Sequence, residues 1–68
     1  MPDSFAKWVR KVRFAKGQTL VEASTELDVS RIQLIAWEQG RAWPQVPRIF
    51  KLADWAGVKV DDLKHLFV

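Results

Sequence analysis

Residues 19–40 read TLVEASTELDVSRIQLIAWEQG and predict two short helices joined by a tight turn. Thr19, followed three residues later by Glu22, has the spacing of a capping box, in which each side chain accepts a hydrogen bond from the backbone of the other residue. Ser30 can cap a second helix, and Gly40 fits the position just after its last turn. Both helices therefore begin at a hydroxyl residue, and the second ends at a glycine.

The turn between the two helices depends on Asp28. We expect the first helix to end by Leu27, where the chain needs a left-handed residue, and aspartate tolerates that conformation better than most residues with a side chain. Val29 then packs beneath the turn, and Leu34 and Trp37 face the core from the second helix. The opposite side of that second helix is left exposed.

A further helix is predicted on the N-terminal side. It covers about residues 4–16, can be capped by Asp3 or Ser4, and stops at Gly17. Its apolar residues recur at helical spacing, which indicates one buried side. These residues are Phe5, Trp8, Val9, Val12 and Ala15.

Two more helical segments are predicted on the C-terminal side. One starts near Val46, has Pro47 in its first turn and stops at Gly57. Its expected inward residues are Ile49, Phe50, Leu52, Ala53 and Ala56. A last turn follows, with Leu63, Leu66 and Phe67 as its apolar face. No strand is predicted, so we expect an all-α fold, a compact five-helix bundle, with residues 1–68 forming a single domain.

The composition excludes several kinds of site. The chain has 68 residues, no cysteine and one histidine, His65, so we expect no disulfide, no metal site and no cofactor. No apolar stretch approaches the roughly 20 residues of a membrane span, and the N-terminus lacks the apolar region of a signal peptide. We therefore expect a cytoplasmic protein with no membrane partner.

The charge is basic and unevenly distributed. The net charge of +3 and the pI of about 9.7 suit a small nucleic-acid-binding protein, although basic domains of other kinds share them. Residues 1–16 carry +4, residues 17–40 carry −3 and residues 41–68 carry +2. If the protein binds phosphates, we expect the lysines and arginines of the two segments that flank the acidic helix pair to bind them. The alternative is that these side chains are only solvated surface residues.

These features together resemble the phage repressor and Cro family of helix-turn-helix domains. The resemblance runs over KGQTLVEASTELDVSRIQLIAWEQGRAWP at residues 16–44 and LADWAGVKVDDL at residues 52–63. No single landmark is diagnostic, but their ordered spacing is specific. The resemblance implies the lambda-repressor-like fold, in which the third helix enters the major groove of DNA.

A charged pair is predicted beside the core. Glu38 follows the core residue Trp37, where an unpaired carboxylate would be costly, and Arg13 on the first helix is its best-placed partner. We expect an Arg13–Glu38 ion pair with a structural role. Asp61 and Asp62 suit the start of a helix better than catalysis, and nothing else resembles an active site, so we do not expect an enzyme.

The outer side of the third helix is the candidate reading surface, and the resemblance implies which of its residues contact bases. Arg31 could bind a guanine edge or a phosphate, and Gln33 could pair with adenine. Ile32 and Ala36 could touch only thymine methyl groups. The alternatives are plain surface for Arg31 and a protein contact for Ile32 and its neighbour Ile35.

Two features depart from the family pattern. Leu20 stands where the family commonly has a glutamine that holds a phosphate, and Ile35 and Ala36 stand at positions that are often polar or basic. A helix with so apolar an outer side either recognises thymine methyl groups and DNA shape or binds a protein instead of DNA. We still expect phosphate contacts at helix starts and around the loop after the third helix. The residues expected to make them are Thr19, Ser30, Arg41, Arg48 and Lys51.

The four tryptophans have different expected roles. Trp37 is a core residue and Trp8 is core or half-buried, whereas Trp43 lies in a loop and Trp55 is out of phase with its helix. Trp43 either covers the bundle or joins a two-fold dimer surface. The residues expected to form that surface are Trp43, Trp55, Leu66 and Phe67. A dimer would place two recognition helices about 34 Å apart, one turn of DNA.

The sequence favours a phage or bacterial transcriptional regulator, a repressor-like homodimer that binds double-stranded DNA and no small-molecule ligand. The alternative is a protein-interaction module on the same fold, which would bind another regulator or a polymerase subunit through Ile32, Ile35 and the tryptophans. A third possibility is one domain of a larger regulator. The Met1 start and the apolar ending make a complete protein the preferred expectation.

Overall fold

The computed structural model describes residues 4–67, which form four α-helices followed by a 3₁₀ helix. The α-helices are α1 (Ser4–Ala15), α2 (Leu20–Leu27), α3 (Arg31–Glu38) and α4 (Val46–Ala56), and the C-terminal 3₁₀ helix is Val60–Phe67. This range contains no strand, so the predicted all-α, five-helix fold is confirmed. None of these helices is long and apolar enough to cross a membrane. Asp3, one of the two proposed caps of the first helix, lies outside the described residues.

The helix pair forms through the local interactions that the sequence predicts. Thr19 Oγ1 accepts a hydrogen bond from the Glu22 N–H at 3.1 Å, and Glu22 Oε1 accepts one from the Thr19 N–H at 2.8 Å, so the capping box is complete. Asp28 follows α2 in the left-handed conformation, with φ 58° and ψ 46°. Its N–H donates to the carbonyls of Ser24 and Thr25, which satisfies the end of α2.

The core lies where the inner sides of the helices meet. α1 packs against α3 and the 3₁₀ helix, and α4 packs against α2 and the 3₁₀ helix. The largest fully buried side chains come from all five elements and are Trp37, Leu27, Leu34, Leu52, Leu63 and Val9. Because α3 is packed on one side only, its other side is available to a partner.

The rotation of α4 differs from the prediction. Phe50, expected in the core, is 55% exposed, whereas Trp55, expected on the surface, is 4% exposed. Leu52 points into the core and fixes the phase of the helix. Trp55 comes three residues later and lies about 60° around the helix from Leu52, whereas Phe50 comes two residues earlier and lies about 160° away. The inward position predicted for Phe50 is therefore wrong.

Candidate nucleic-acid interface

The outer side of α3 is open to solvent at its start. Arg31 is exposed and Ile32 is 78% exposed, the highest value among the exposed large apolar side chains described. Gln33, Ile35 and Ala36 are half-buried. Residues 31 and 32 therefore project furthest, and the other three form the shallower part of the same surface.

Ser30 and Thr19, predicted to contact phosphates, are the N-cap residues of α3 and α2. Ser30 Oγ accepts a hydrogen bond from the Gln33 N–H at 3.0 Å, and Thr19 Oγ1 accepts one from the Glu22 N–H. Both residues are exposed. Each hydroxyl acts as an acceptor in its cap, so its own proton remains available to donate to a phosphate oxygen.

Arg13 and Glu38, predicted to pair, are brought together between α1 and α3. Arg13 Nε lies 2.7 Å from Glu38 Oε2 and Arg13 Nη2 lies 3.0 Å from Glu38 Oε1, which makes the pair bidentate. The two side chains are 13% and 8% exposed. Arg13 Nη1 also donates to the Gln18 carbonyl at 3.2 Å, so one guanidinium ties α3 and the loop before α2 to α1.

A polar network that the sequence did not predict holds the α1–α2 loop against α4. Trp55 Nε1 donates to Gln18 Oε1 at 2.8 Å, and Gln18 Nε2 donates to Glu26 Oε1 at 2.7 Å. Lys16 Nζ donates to the Trp55 carbonyl at 2.8 Å. Trp55 and Gln18 are 37 positions apart, and no local sequence pattern relates residues at that separation.

Two residues of the predicted dimer surface belong to the core instead. Trp55 is 4% exposed and packs edge-on against Trp8, with the ring centres 6.4 Å apart, and Leu66 is 5% exposed. Side chains already covered within one chain offer almost no surface to a second one, so both are removed from the predicted interface. The side chain of Phe67 lies outside the described ones.

The remaining member, Trp43, lies on a different apolar patch. Trp43 is 47% exposed and stacks on Phe5, with ring centres 5.8 Å apart, so it both covers the bundle and faces solvent. Val46 and Phe50, 65% and 55% exposed, lie one turn apart on the adjoining helix. We call Trp43, Val46 and Phe50 the α4 patch. Counting helical positions from Leu52 would have placed Phe50 there.

Three predicted DNA contacts line a groove between the helix turn and the loop before α4. The groove has a volume of about 380 Å³, and its walls include Ser30, Gln33 and Arg48. Arg48 Nη1 lies 3.7 Å from Asp28 Oδ2 and its side chain is 40% exposed, so this ion pair is weak and can exchange for a phosphate. No side chain caps the start of α4 beside the groove.

The other three predicted phosphate contacts, Thr19, Arg41 and Lys51, lie outside this groove. Arg41, just beyond α3, donates from Nε to Gln39 Oε1 at 2.8 Å, and Lys51 is exposed on α4. Both keep their charge at the surface.

A bundle in which α2 and α3 are joined by a tight turn, with the outer side of α3 open at its capped start, has the architecture of a helix-turn-helix protein. A family model described as helix-turn-helix, of the Cro/C1 type, matches residues 7–63. The chain belongs to this family, which is defined by DNA binding and is not an enzyme family. No curated protein and no solved structure matched the chain.

Proposed function

We propose that this protein is a transcriptional regulator that recognises a specific double-stranded DNA sequence by placing α3 in the major groove. The observation that carries the proposal is the contrast between the two sides of α3. Trp37 and the Arg13–Glu38 pair hold its inner side, while Arg31 and Ile32 project from its outer side. A reading helix has to be held rigidly, because small displacements of its side chains break contacts with base edges.

Each outer residue has a chemistry that suits one part of the duplex. Arg31 binds a guanine edge through two parallel hydrogen bonds or, failing that, a phosphate, and Gln33 pairs with adenine at the edge of the surface. Ile32 and Ala36 contact thymine methyl groups. Phosphates on either side are bound by the caps and flanking cations. These residues are Thr19, Ser30, Arg41, Arg48 and Lys51.

The proposal is tested with a duplex selected from a random pool for binding to the protein. Substitution Arg31→Ala should weaken binding of this duplex by about 1–3 kcal/mol, roughly 5- to 150-fold in Kd, as measured by fluorescence anisotropy. Binding by the unaltered protein should also weaken steeply with salt, because phosphate contacts release counterions.

Lys59→Ala is the matched control, since it removes one positive charge from an exposed residue outside the proposed interface. It should change the Kd by less than about twofold, the residual effect of lowering the net charge. Equal losses in the two variants, or equal affinity of the protein for selected and random duplexes, would contradict the assignment of α3.

We further propose that the regulator acts in the cytoplasm as a homodimer formed through the α4 patch. The three side chains of this patch are large, apolar and about half or more exposed, and exposed apolar side chains that lie close together usually mark an interface. A two-fold dimer would present two copies of α3 to a palindromic site. The patch replaces the predicted surface that included Trp55 and Leu66.

A second candidate function is supported by the same exposure of Ile32 together with the −3 charge of residues 17–40. A protein partner would bury Ile32 and avoid the repulsion between this acidic segment and DNA phosphates. Under this alternative, the random pool yields no enriched sequence, and the unaltered protein and Arg31→Ala bind every duplex equally.

A further inference from the structure

The outer side of α1 carries three cations that the described fold does not use. Lys7, Arg10 and Lys11 are all exposed and, being three and four positions apart, share one side of the helix. We call them the α1 basic stripe. Within residues 4–67 none of them makes an ion pair or a side-chain hydrogen bond. The ion pairs in that range join Arg13 to Glu38, Lys16 to Glu26, Arg48 to Asp28 and Lys64 to Asp61.

The stripe works against the stability of α1. Like charges at these spacings repel one another, and α1 has no acidic residue in its first turn to offset them. A bound polyanion would remove this repulsion.

The stripe and the outer side of α3 are the exposed sides of two helices that pack against each other. The two helices meet through their inner sides, where the rings of Phe5 and Trp37 lie 6.0 Å apart and Arg13 pairs with Glu38. The exposed side of each helix is therefore directed away from the other helix. From this packing we expect that a straight duplex in contact with Arg31 and Ile32 does not reach the α1 basic stripe.

The chemistry of the stripe suits a phosphate backbone better than a membrane. The apolar side of α1 is buried in the core, with Phe5 2% and Val9 0% exposed, so it cannot insert into a lipid surface. Phe14 is the one large apolar residue on the outer side of α1, and Arg13 lies over its ring at 4.7 Å. What remains is a row of cations without the shape needed to read base edges, which suits sequence-independent phosphate contacts.

We propose that the α1 basic stripe binds the phosphate backbone of a second DNA duplex, so that one protein molecule joins two DNA segments. The inference rests on the proposed function, because α3 has to hold the first duplex. The first duplex is recognised by its sequence and the second only by its charge.

The test is capture of a fluorescent random duplex by beads that carry the selected duplex and bound protein. The unaltered protein should capture the second duplex, and capture should fall with salt with a log–log slope of about −3, since three cations each release about 0.9 counterion. The Lys7→Gln/Lys11→Gln variant should lose about tenfold or more of this capture and bind the selected duplex alone within about twofold of the unaltered protein.

The matched control is Lys59→Gln/Lys64→Gln, which removes the same charge from exposed lysines elsewhere and should capture normally. The inference is overturned if the unaltered protein captures no second duplex. It is also overturned if Lys7→Gln/Lys11→Gln captures as much of the second duplex as the control does, because the two copies of α3 in a dimer could then hold both duplexes. It is also overturned if this variant loses the selected duplex to the same degree. Failure of the unaltered protein to bind the bead-bound duplex would instead contradict the proposed function.

Discussion

At the scale of single residues, the Arg13–Glu38 pair links the sequence most directly to the reading surface. Glu38 is on the inner side of α3, one position after the buried Trp37, and its carboxylate receives two hydrogen bonds from one guanidinium. This bidentate contact restricts both the position and the roll of α3 relative to α1. The exposed position of Arg31 and Ile32 follows from that restriction.

Arg13→Ala should therefore lower the free energy of unfolding by about 3–5 kcal/mol, because it leaves the Glu38 carboxylate buried without a partner. Urea denaturation followed by tryptophan fluorescence measures the change. In a chain of 68 residues this loss is a large part of the total stability.

The control is the double variant Arg13→Met/Glu38→Leu, which removes both charges and should recover most of the lost stability. A cost below about 1 kcal/mol for Arg13→Ala, the range of an exposed pair, would mean that the ion pair does not hold α3 in place.

At the scale of helices, local rules were enough to predict α2, α3 and the turn between them. The capping box at Thr19, the Ser30 cap and the left-handed Asp28 each depend on groups within four residues of one another. Such interactions form in the same way wherever the segment lies in the fold, so a short stretch of sequence determines them.

The same rules could not predict the network around Trp55, and they give the rotation of α4 only once Leu52 is known to be buried. α4 carries apolar residues on most of its circumference, so the composition alone does not say which side is buried. The choice is made by packing against α2 and the 3₁₀ helix and by the hydrogen bond from Trp55 to Gln18. Both depend on the assembled fold.

The rotation of α4 predicts very different costs for two aromatic substitutions. Trp55→Ala should destabilise the protein by about 3–5 kcal/mol, because it empties a buried site and removes the hydrogen bond to Gln18. At concentrations low enough for the protein to be monomeric, Phe50→Ala should change the stability by less than about 1 kcal/mol, because in a single chain the ring is mostly in solvent. Thermal denaturation by circular dichroism compares the two, and equal costs would contradict this rotation of α4.

At the scale of the whole molecule, the chain is small enough that a partner would stabilise it by burying more of its surface. A domain of about 60 residues buries only about 60% of the surface that its unfolded chain exposes, so a dimer that covers the α4 patch would add stability that depends on concentration. The three proposed surfaces are the outer side of α3, the α4 patch and the α1 basic stripe. Their assigned residues differ, although Trp43 of the α4 patch also lines the groove that contains Ser30, Gln33 and Arg48.

The proposed dimer predicts that sedimentation equilibrium will show a mass of twice 7.9 kDa and that the Tm will rise with protein concentration. Phe50→Lys should give a monomer whose Tm does not depend on concentration, because it places a charge within the α4 patch. Val21→Lys is the matched control, since Val21 is 52% exposed on α2, outside the α4 patch, and its substitution should leave the dimer intact. Dimers in both variants, or a monomer for the unaltered protein at every concentration, would contradict the assignment of the patch.

The central claim, that the outer side of α3 contacts DNA, is tested most directly by mapping backbone amide chemical shifts during titration with the selected duplex. The largest changes should fall on residues 30–36, with smaller ones at Thr19, Arg41 and Arg48 where phosphates bind. Trp37 and Glu38, on the buried inner side of α3, should change less than Arg31 and Ile32. Unchanged shifts at residues 31–36, with the largest changes on the α4 patch or on α1, would contradict the claim.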